Sequence, residues 1–187
     1  GGARLDGGAQ ALMSGNAAVA GNTAHYDGGG FNLCDNASLQ MSESASVTGN
    51  TATWGNGGGV NVDRGAKLLL SGFATINQNT AHINGGGVDL DGLVTGAQSA
   101  ASTTATLSGY ASIRDNACLQ SGGGVMVYKY STLTVTEHAS LSGNTAKAGG
   151  GFYIDGVPDH PEHTIASLQG SASVSGTICV APACSSS

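Results

Sequence analysis

The stretch GGGVNVDRGAKLLLSGFATINQNTAHIN, from Gly57 to Asn84, contains every element of a repeat that recurs along the chain. It begins with a glycine triplet and continues with three short segments in which apolar residues alternate with other residues. It then carries a Φ-x-x-Asn-Thr element from Ile76 to Thr80, where Φ is an apolar residue. Residues 1–27 align with residues 58–84 without a gap. Alternation with a period of two predicts β-strands, and no segment has a useful length of helical periodicity.

The repeat extends over nearly the whole chain. Glycine triplets begin at Gly28, Gly57, Gly85, Gly122 and Gly149. Strands of two or three residues are not stable as isolated hairpins, but stacked copies can bury one continuous core. The sequence therefore predicts an all-β fold, a right-handed parallel β-helix (β-solenoid) of about six rungs of roughly 28 residues, with three short sheets.

The repeat predicts a single β-helix domain over residues 1–187. Two units carry insertions, near 93–104 and 157–163, and both are expected to leave the same corner, after the first strand of the unit. Residues 176–187 are predicted to form a C-terminal cap. Because the chain begins in the middle of a repeat, we expect it to be a processed chain or a piece of a longer one.

Glycine and asparagine have predicted structural roles at the turns. The triplets supply positive φ and close backbone approach at a tight corner. Asparagines at one fixed turn position can stack as a ladder, in which each amide bonds its neighbours and satisfies buried turn groups. The predicted ladder consists of Asn22, Asn50, Asn79, Asn116 and Asn144.

Composition excludes several classes of protein. The chain has a formal net charge of −6 and only six Lys and Arg residues, so it has no basic stripe for nucleic acid. No apolar run reaches the length of about 18 residues that a membrane-spanning helix needs. The four cysteines are Cys34, Cys118, Cys179 and Cys184. A disulfide between Cys179 and Cys184 would close the C-terminal end, whereas Cys34 and Cys118 fall two rungs apart, too far for a bridge.

The glycine triplets followed by an apolar residue, together with the Φ-x-x-Asn elements, resemble the repeats of polymorphic outer membrane proteins. Gly86-Gly87-Val88 and Ile76-Asn77-Gln78-Asn79 match the two signatures of that family, with an aliphatic residue in place of its usual Phe. The resemblance implies a right-handed β-helix exposed at a cell surface and often adhesive. The leading expectation is thus a non-enzymatic extracellular or cell-surface structural or adhesive segment, with end-to-end stacking into a filament as a further expectation. Its expected partners are other protein subunits or a carbohydrate ligand.

A second hypothesis is ice binding through the outward face of the third strand. That face is predicted to be flat and rich in hydroxyl groups, with side chains about 6.7 Å apart along a strand and about 4.8 Å apart between rungs. Asn77 and Arg114 interrupt it. The predicted face consists of Ser46, Thr48, Thr75, Ser112, Ser140, Ser142, Ser173 and Ser175.

A third hypothesis is a polysaccharide-cleaving enzyme, which would need clustered carboxylates on neighbouring rungs. Asp63, Asp89 and Asp91 could be neighbours across two rungs, but we interpret them as turn residues that cap their own backbone. No nucleophile and base can be placed together, so the chain is predicted not to be an enzyme and to need no cofactor.

No metal site is predicted either. The segment Asp159 to His163 is interpreted as a solvated loop, and His25 and His82 as exposed turn residues too far apart to share an ion. Asn36 begins a full N-glycosylation sequon and is a candidate modification site in a eukaryotic source.

Overall fold

The computed structural model describes residues 1–92, 102–156 and 163–181, and within them the regular structure consists of short β-strands, numbered here in chain order. All strand pairs are parallel. Each of the first four repeats adds one strand to each of four sheets in turn, and the fifth adds one strand to each of three. This arrangement is all-β with parallel sheets, as predicted, and fits a β-solenoid. Among the described segments there is no helix that is long and apolar enough to cross a membrane.

The first sheet has seven strands, most of which directly follow a glycine triplet in the sequence. Its last strand lies in the segment that the sequence assigns to the C-terminal cap, and it pairs with the strand before it in the same register. The strands are β1 (Ala3–Leu5), β5 (Phe31–Leu33), β9 (Val60–Asp63), β13 (Val88–Asp91), β17 (Val125–Tyr128), β20 (Phe152–Asp155) and β23 (Ile178–Val180).

The second and third sheets have six strands each. The second sheet contains β2 (Gln10–Met13), β6 (Ser38–Met41), β10 (Lys67–Leu70), β14 (Thr103–Leu107), β18 (Ser131–Val135) and β21 (Ile165–Leu168). The third contains β3 (Ala18–Ala20), β7 (Ser46–Thr48), β11 (Thr75–Asn77), β15 (Ser112–Arg114), β19 (Ser140–Ser142) and β22 (Ser173–Val174).

A fourth sheet corrects the predicted number of three. It is formed by the two residues that follow each of the first four ladder asparagines, which are Thr and Ala in most copies. Two residues are too few for an alternating pattern to be recognised in the sequence, whereas the stacked backbones pair wherever consecutive repeats stay in register. Its strands are β4 (Thr23–Ala24), β8 (Thr51–Ala52), β12 (Thr80–Ala81) and β16 (Ala117–Cys118).

One hydrophobic core lies between the first three sheets. A typical repeat contributes alternate residues of each strand to it, such as Leu33, Leu39 and Val47, all of which are fully buried. Burying a side chain of this size stabilises the fold by about 1.5–3 kcal/mol. The pairing register brings the same position of each repeat side by side, for example Leu39 beside Leu68, so the core continues from repeat to repeat.

The glycine triplets allow one repeat to approach the next closely. Gly57 has a φ of 62°, which L-residues with side chains rarely adopt. A Cβ on Gly59 would lie 2.6 Å from the carbonyl oxygen of Gly87 and 2.8 Å from Cγ2 of Ile76. Because backbone atoms cannot yield as a flexible side chain does, alanine at this position would push the two repeats apart.

Both predicted insertions fall largely outside the described residues, which omit 93–101 and 157–162. The first insertion ends earlier than predicted, because Thr103 and Thr104 already belong to β14. Thr103 is buried, and its hydroxyl accepts a hydrogen bond from the Gly65 amide at 2.9 Å and donates one to the Asp91 carbonyl at 3.2 Å. These bonds fix the position of Thr103, the first residue of β14.

Candidate functional site

The five asparagines that the sequence assigns to a ladder form one chain of hydrogen bonds. The side-chain oxygen of Asn79, for example, accepts bonds from both the backbone and side-chain nitrogens of Asn50, at 2.9 and 3.0 Å. The Asn79 amide in turn donates to the Asn116 side chain and to the Val47 carbonyl, each at 3.0 Å. Because every polar atom of this buried side chain is paired, the column is structural and offers no free group to a ligand.

A second ladder, which sequence analysis missed, runs along the corner before the glycine triplets. The side-chain oxygens of Asp27, Asn56 and Asn84 each accept a hydrogen bond from the backbone amide of the next repeat's equivalent residue, at 2.8, 3.1 and 3.2 Å. The last of these amides belongs to Ser121. The available signal was the position itself, since each of the four residues directly precedes a glycine triplet.

The outer column of the first sheet contains the middle residue of each strand and changes chemistry from repeat to repeat. Asn32, Asn61, Asp89 and Met126 follow one another in register. The last three are only 4–5% exposed although they face away from the hydrophobic core. The outer face of the first sheet is therefore recessed, and Asp89 lies within a strand rather than capping a turn.

A cavity of about 370 Å³, here called the acidic groove, occupies this recess over β13, β17 and β20. Asp89 and Met126 line it together with Tyr153 from the middle positions of the strands. One side carries residues from the corner of the second ladder, and the other carries residues that end the strands. These are Asn56, Asn84, Gln120 and Ser121 on the first side, and Asp91, Tyr128 and Asp155 on the second.

Burial controls the ionisation of the groove carboxyls. Desolvation raises the pKa of Asp89 well above its usual range, and the nearby charges of Asp91, Asp27 and Asp63 raise it further. No described residue donates a hydrogen bond to the Asp89 carboxyl or forms an ion pair with it. A protonated Asp89 can donate a hydrogen bond into the groove, and an ionised one would attract a cation.

Arg64 directly follows β9 and pairs with two carboxylates. Its Nε donates to Asp35 at 2.7 Å, and Nη1 donates to Asp63. Burial nevertheless raises the pKa of Asp63 to about 6, against the opposing effect of Arg64, and the Asp91 charge raises it as well. Asp63 pairs in register with Asp91 but does not line the groove.

The hydroxyl face predicted on the third sheet is in register. One column runs through Ser46, Thr75, Ser112, Ser140 and Ser173. The other contains Thr48, Asn77, Arg114 and Ser142, so two larger side chains interrupt it. Arg114 bonds Asp115 at 2.9 Å, and the side-chain oxygen of Asn77 is buried with no hydrogen-bond partner. The remaining residue of the predicted face, Ser175, is exposed just beyond β22.

Three aromatic side chains form a ridge along the margin of this face, here called the aromatic stack. Phe73, Tyr110 and His138 occupy the same turn position in consecutive repeats, two residues before the first hydroxyl column. Their rings are nearly parallel, with centroids 5.3 and 4.9 Å apart. Phe73 and Tyr110 remain 62% and 57% exposed. The margin of the hydroxyl face is therefore raised and apolar.

A second group of exposed rings, here called the Trp54 cluster, lies beside the fourth sheet. Trp54 stands between His25 and His82, with ring centroids 6.5 and 5.2 Å away, and Tyr26 packs edge-on against His25 at 4.6 Å. Both histidines are exposed, as expected, but the tryptophan between them was not singled out. An apolar hollow of about 290 Å³, lined in part by His82 and Leu119, adjoins the cluster.

The remaining predicted site residues are simple to place. Cys34 and Cys118 are free and buried. Cys179 is buried, but Cys184 lies outside the described residues, so a bond between them stays a prediction. Asn36 is exposed on a turn. Asp159 also lies outside the described residues, within which no group of three acidic, His or Cys side chains could hold a metal ion.

Comparison with protein-family models, with curated proteins and with solved structures finds no match for this chain. Its function must therefore be inferred from its own surfaces: the acidic groove, the two aromatic groups and the hydroxyl face.

Proposed function

We propose that the chain is a segment of a right-handed parallel β-helix that lies outside the cell or at its surface and acts as a non-enzymatic adhesive element. The β-helix is supported by four parallel sheets, to which each of the first four repeats adds one strand in turn. The glycine triplets and Φ-x-x-Asn elements support a relationship to polymorphic outer membrane protein repeats. The proposed ligand is a polysaccharide.

The observation that carries this proposal is the placement of aromatic residues. The chain has three Phe, one Trp and five Tyr residues, and only Phe31 and Phe152 lie in the core. Tyr26, Trp54, Phe73 and Tyr110 are all more than half exposed. Tyr and Trp anchor interfaces because they bury a large area at a small entropic cost. A repeated column of rings suits a linear polymer with a short repeat.

Binding to insoluble and arrayed polysaccharides tests the proposal. Trp54→Ala and Tyr110→Ala should each weaken retention of the chain about tenfold or more, because each removes a large exposed contact surface. Leu12→Ala is the matched control, since Leu12 is 69% exposed and belongs to neither aromatic group. Equal retention of all variants, or no retention of the unmodified chain, would refute the proposal.

The structure also offers a specific reason to consider a polysaccharide-cleaving enzyme. Asp89 and Asp91 line one groove, and two positions along a strand are about 6.7 Å apart, within the separation of about 6.5–9.5 Å that inverting glycosidases use. The raised pKa of Asp89 suits a general acid. Release of new reducing ends from polysaccharides, lost in Asp89→Asn and Asp91→Asn, would establish this second candidate.

Ice binding is less well supported, because an ice-binding face should be flat and regular. The side chains of Asn77 and Arg114 interrupt one hydroxyl column, and the aromatic stack stands along the margin of the other. Electron microscopy of the purified chain separately tests the expectation that copies stack end to end into filaments.

A further inference from the structure

The outer column of the first sheet shows that asparagine suits this position structurally. In two consecutive repeats this position is asparagine, and the side-chain amide of Asn61 donates a hydrogen bond to the Asn32 oxygen at 3.2 Å. Asp89 occupies the next position, in register with Asn61. An asparagine there could continue the chain of amide bonds by donating to Asn61, whereas an ionised aspartate cannot donate at all.

Asparagine would therefore stabilise the fold better than aspartate does at position 89. It is 4% exposed, lines the groove, and has no hydrogen-bond or ion-pair partner among the described residues. The carboxyl oxygens are open to the groove, and the enclosure of the site disfavours their ionised form. Such a group suits a ligand that supplies the missing partner.

We propose that the acidic groove binds the protonated amino group of an amino sugar, with Asp89 as the principal acceptor. Asp91 and Asp155 add negative charge on one side of the groove. An anionic ligand would be repelled by these groups, and the described residues lack the three-ligand cluster that a metal ion requires. This inference goes beyond the proposed adhesion through the aromatic groups, because it concerns a separate surface.

The other groups of the groove favour a sugar over the side chain of a basic protein. Asn56 and Asn84 use their side-chain oxygens in the second ladder, and none of the described residues accepts a bond from their Nδ2 groups. Those amides, together with Gln120 and Ser121, can bond sugar hydroxyls, and two tyrosine rings can pack against a pyranose ring. The cavity of about 370 Å³ is at the small end of ligand pockets, which run from about 300 Å³.

Binding of an ammonium group should release a proton from the protein. The charge of the ligand stabilises the ionised form of Asp89, which burial and neighbouring carboxylates otherwise disfavour. The ammonium group of Lys129 lies 4.6 Å from the centroid of the Tyr128 ring, beside the groove. The titratable groups around Asp89 are Asp27, Asp63, Asp91, Cys118, Tyr128, Tyr153 and Asp155.

Isothermal titration calorimetry tests the proposal with chitosan oligosaccharides and fully N-acetylated chitin oligosaccharides of equal length. At about pH 5, where the amine of an amino sugar is protonated, the chitosan oligosaccharide should bind at least tenfold more tightly. Repeating the titration in buffers of different ionisation enthalpy should reveal the released proton. Asp89→Asn should lower the affinity about tenfold or more and abolish proton release.

Asp115→Asn is the matched control, because Asp115 is an exposed aspartate on the third-sheet side of the molecule and is not part of the groove. It should leave binding unchanged. Equal affinity for both oligosaccharides, unchanged binding by Asp89→Asn, or tighter binding of a lysine-rich peptide would each overturn the proposal. Retention on other polysaccharides through the aromatic groups would survive any of these outcomes, so the two proposals fail separately.

Discussion

The asparagine ladder and the outer column of the first sheet are built on the same repeat but differ in their chemistry. The ladder has asparagine at the same position in five consecutive repeats, and its interior members pair every polar side-chain atom. The outer column starts in the same way, with Asn32 bonded to Asn61, and then changes to Asp89, Met126 and Tyr153. The ladder position only holds successive repeats together, and it has the same residue in each. The outer column has a different residue in successive repeats, and it lines the acidic groove.

The largest effect is expected from breaking the uniform column at its centre. Asn79→Ala removes four side-chain hydrogen bonds and leaves the buried backbone amide of Asn50 without its acceptor. We expect the free energy of unfolding to fall by about 3–5 kcal/mol, measured by chemical denaturation. Asn22→Ala, at the partly exposed end of the ladder, should cost only about 1 kcal/mol. Equal costs at the two positions would show that the ladder is not what holds the turns.

A smaller effect is expected when Asn61, in the hydrogen-bonded part of the outer column, is replaced by aspartate, the residue that follows it in the groove. Asn61→Asp removes the donor to Asn32 and places a second unpaired carboxyl beside Asp89. The change should destabilise the protein by about 1–3 kcal/mol at neutral pH and by less in acid, where the carboxyl is protonated. Thermal unfolding at both pH values measures it. A pH-independent loss would mean that packing, not charge, sets the cost.

The unmodified chain should become less stable as the pH rises from about 4 to about 6. Asp63 has a pKa of about 6 in the folded state, above its ordinary value of about 3.9. The folded state therefore binds the Asp63 proton more tightly than the unfolded state does. This stabilises the fold at about pH 4 and below, and the stabilisation is lost as the pH rises to about 6. Asp89 acts in the same direction, whereas the lowered pKa of the exposed Asp35 has the opposite sign and acts below about pH 4. Asp63→Asn should flatten the dependence by on the order of 1 kcal/mol after solvent screening. An unchanged pH profile would contradict this assignment.

The smallest effect is expected on the hydroxyl face. Thr75→Tyr and Ser140→Tyr add bulk to a half-exposed column without touching the groove, so folding and oligosaccharide binding should change little. Microscopy of ice crystals grown with the unmodified chain should show no shaping. Shaping that the tyrosine variants abolish would instead establish ice binding and displace the adhesive proposal.

The sequence predicts the features that recur. Alternation at Val60-Asn61-Val62 and the fixed position of the asparagines are sufficient for parallel strands and for the ladder. Features that depend on three-dimensional depth were missed. The sequence places Asp89 at a turn or on the surface, because its apolar neighbours Val88 and Leu90 face the core. The recess of the first sheet nevertheless buries it. The stacking of Phe73 on Tyr110 was equally hidden, because the residues are 37 positions apart and only the register of β11 and β15 brings them together.

Thermal unfolding of Asp89→Asn, with and without a chitosan oligosaccharide, tests the central claim most directly. We expect the variant to melt at a higher temperature than the unmodified chain at neutral pH, because asparagine extends the Asn32–Asn61 amide chain and removes a carboxyl whose ionisation the recess disfavours. We also expect the oligosaccharide, at about pH 5, to raise the melting temperature of the unmodified chain and not that of the variant. A variant that melts lower, or that the ligand stabilises equally, would show that Asp89 is a structural residue and that the groove does not select an amine through it.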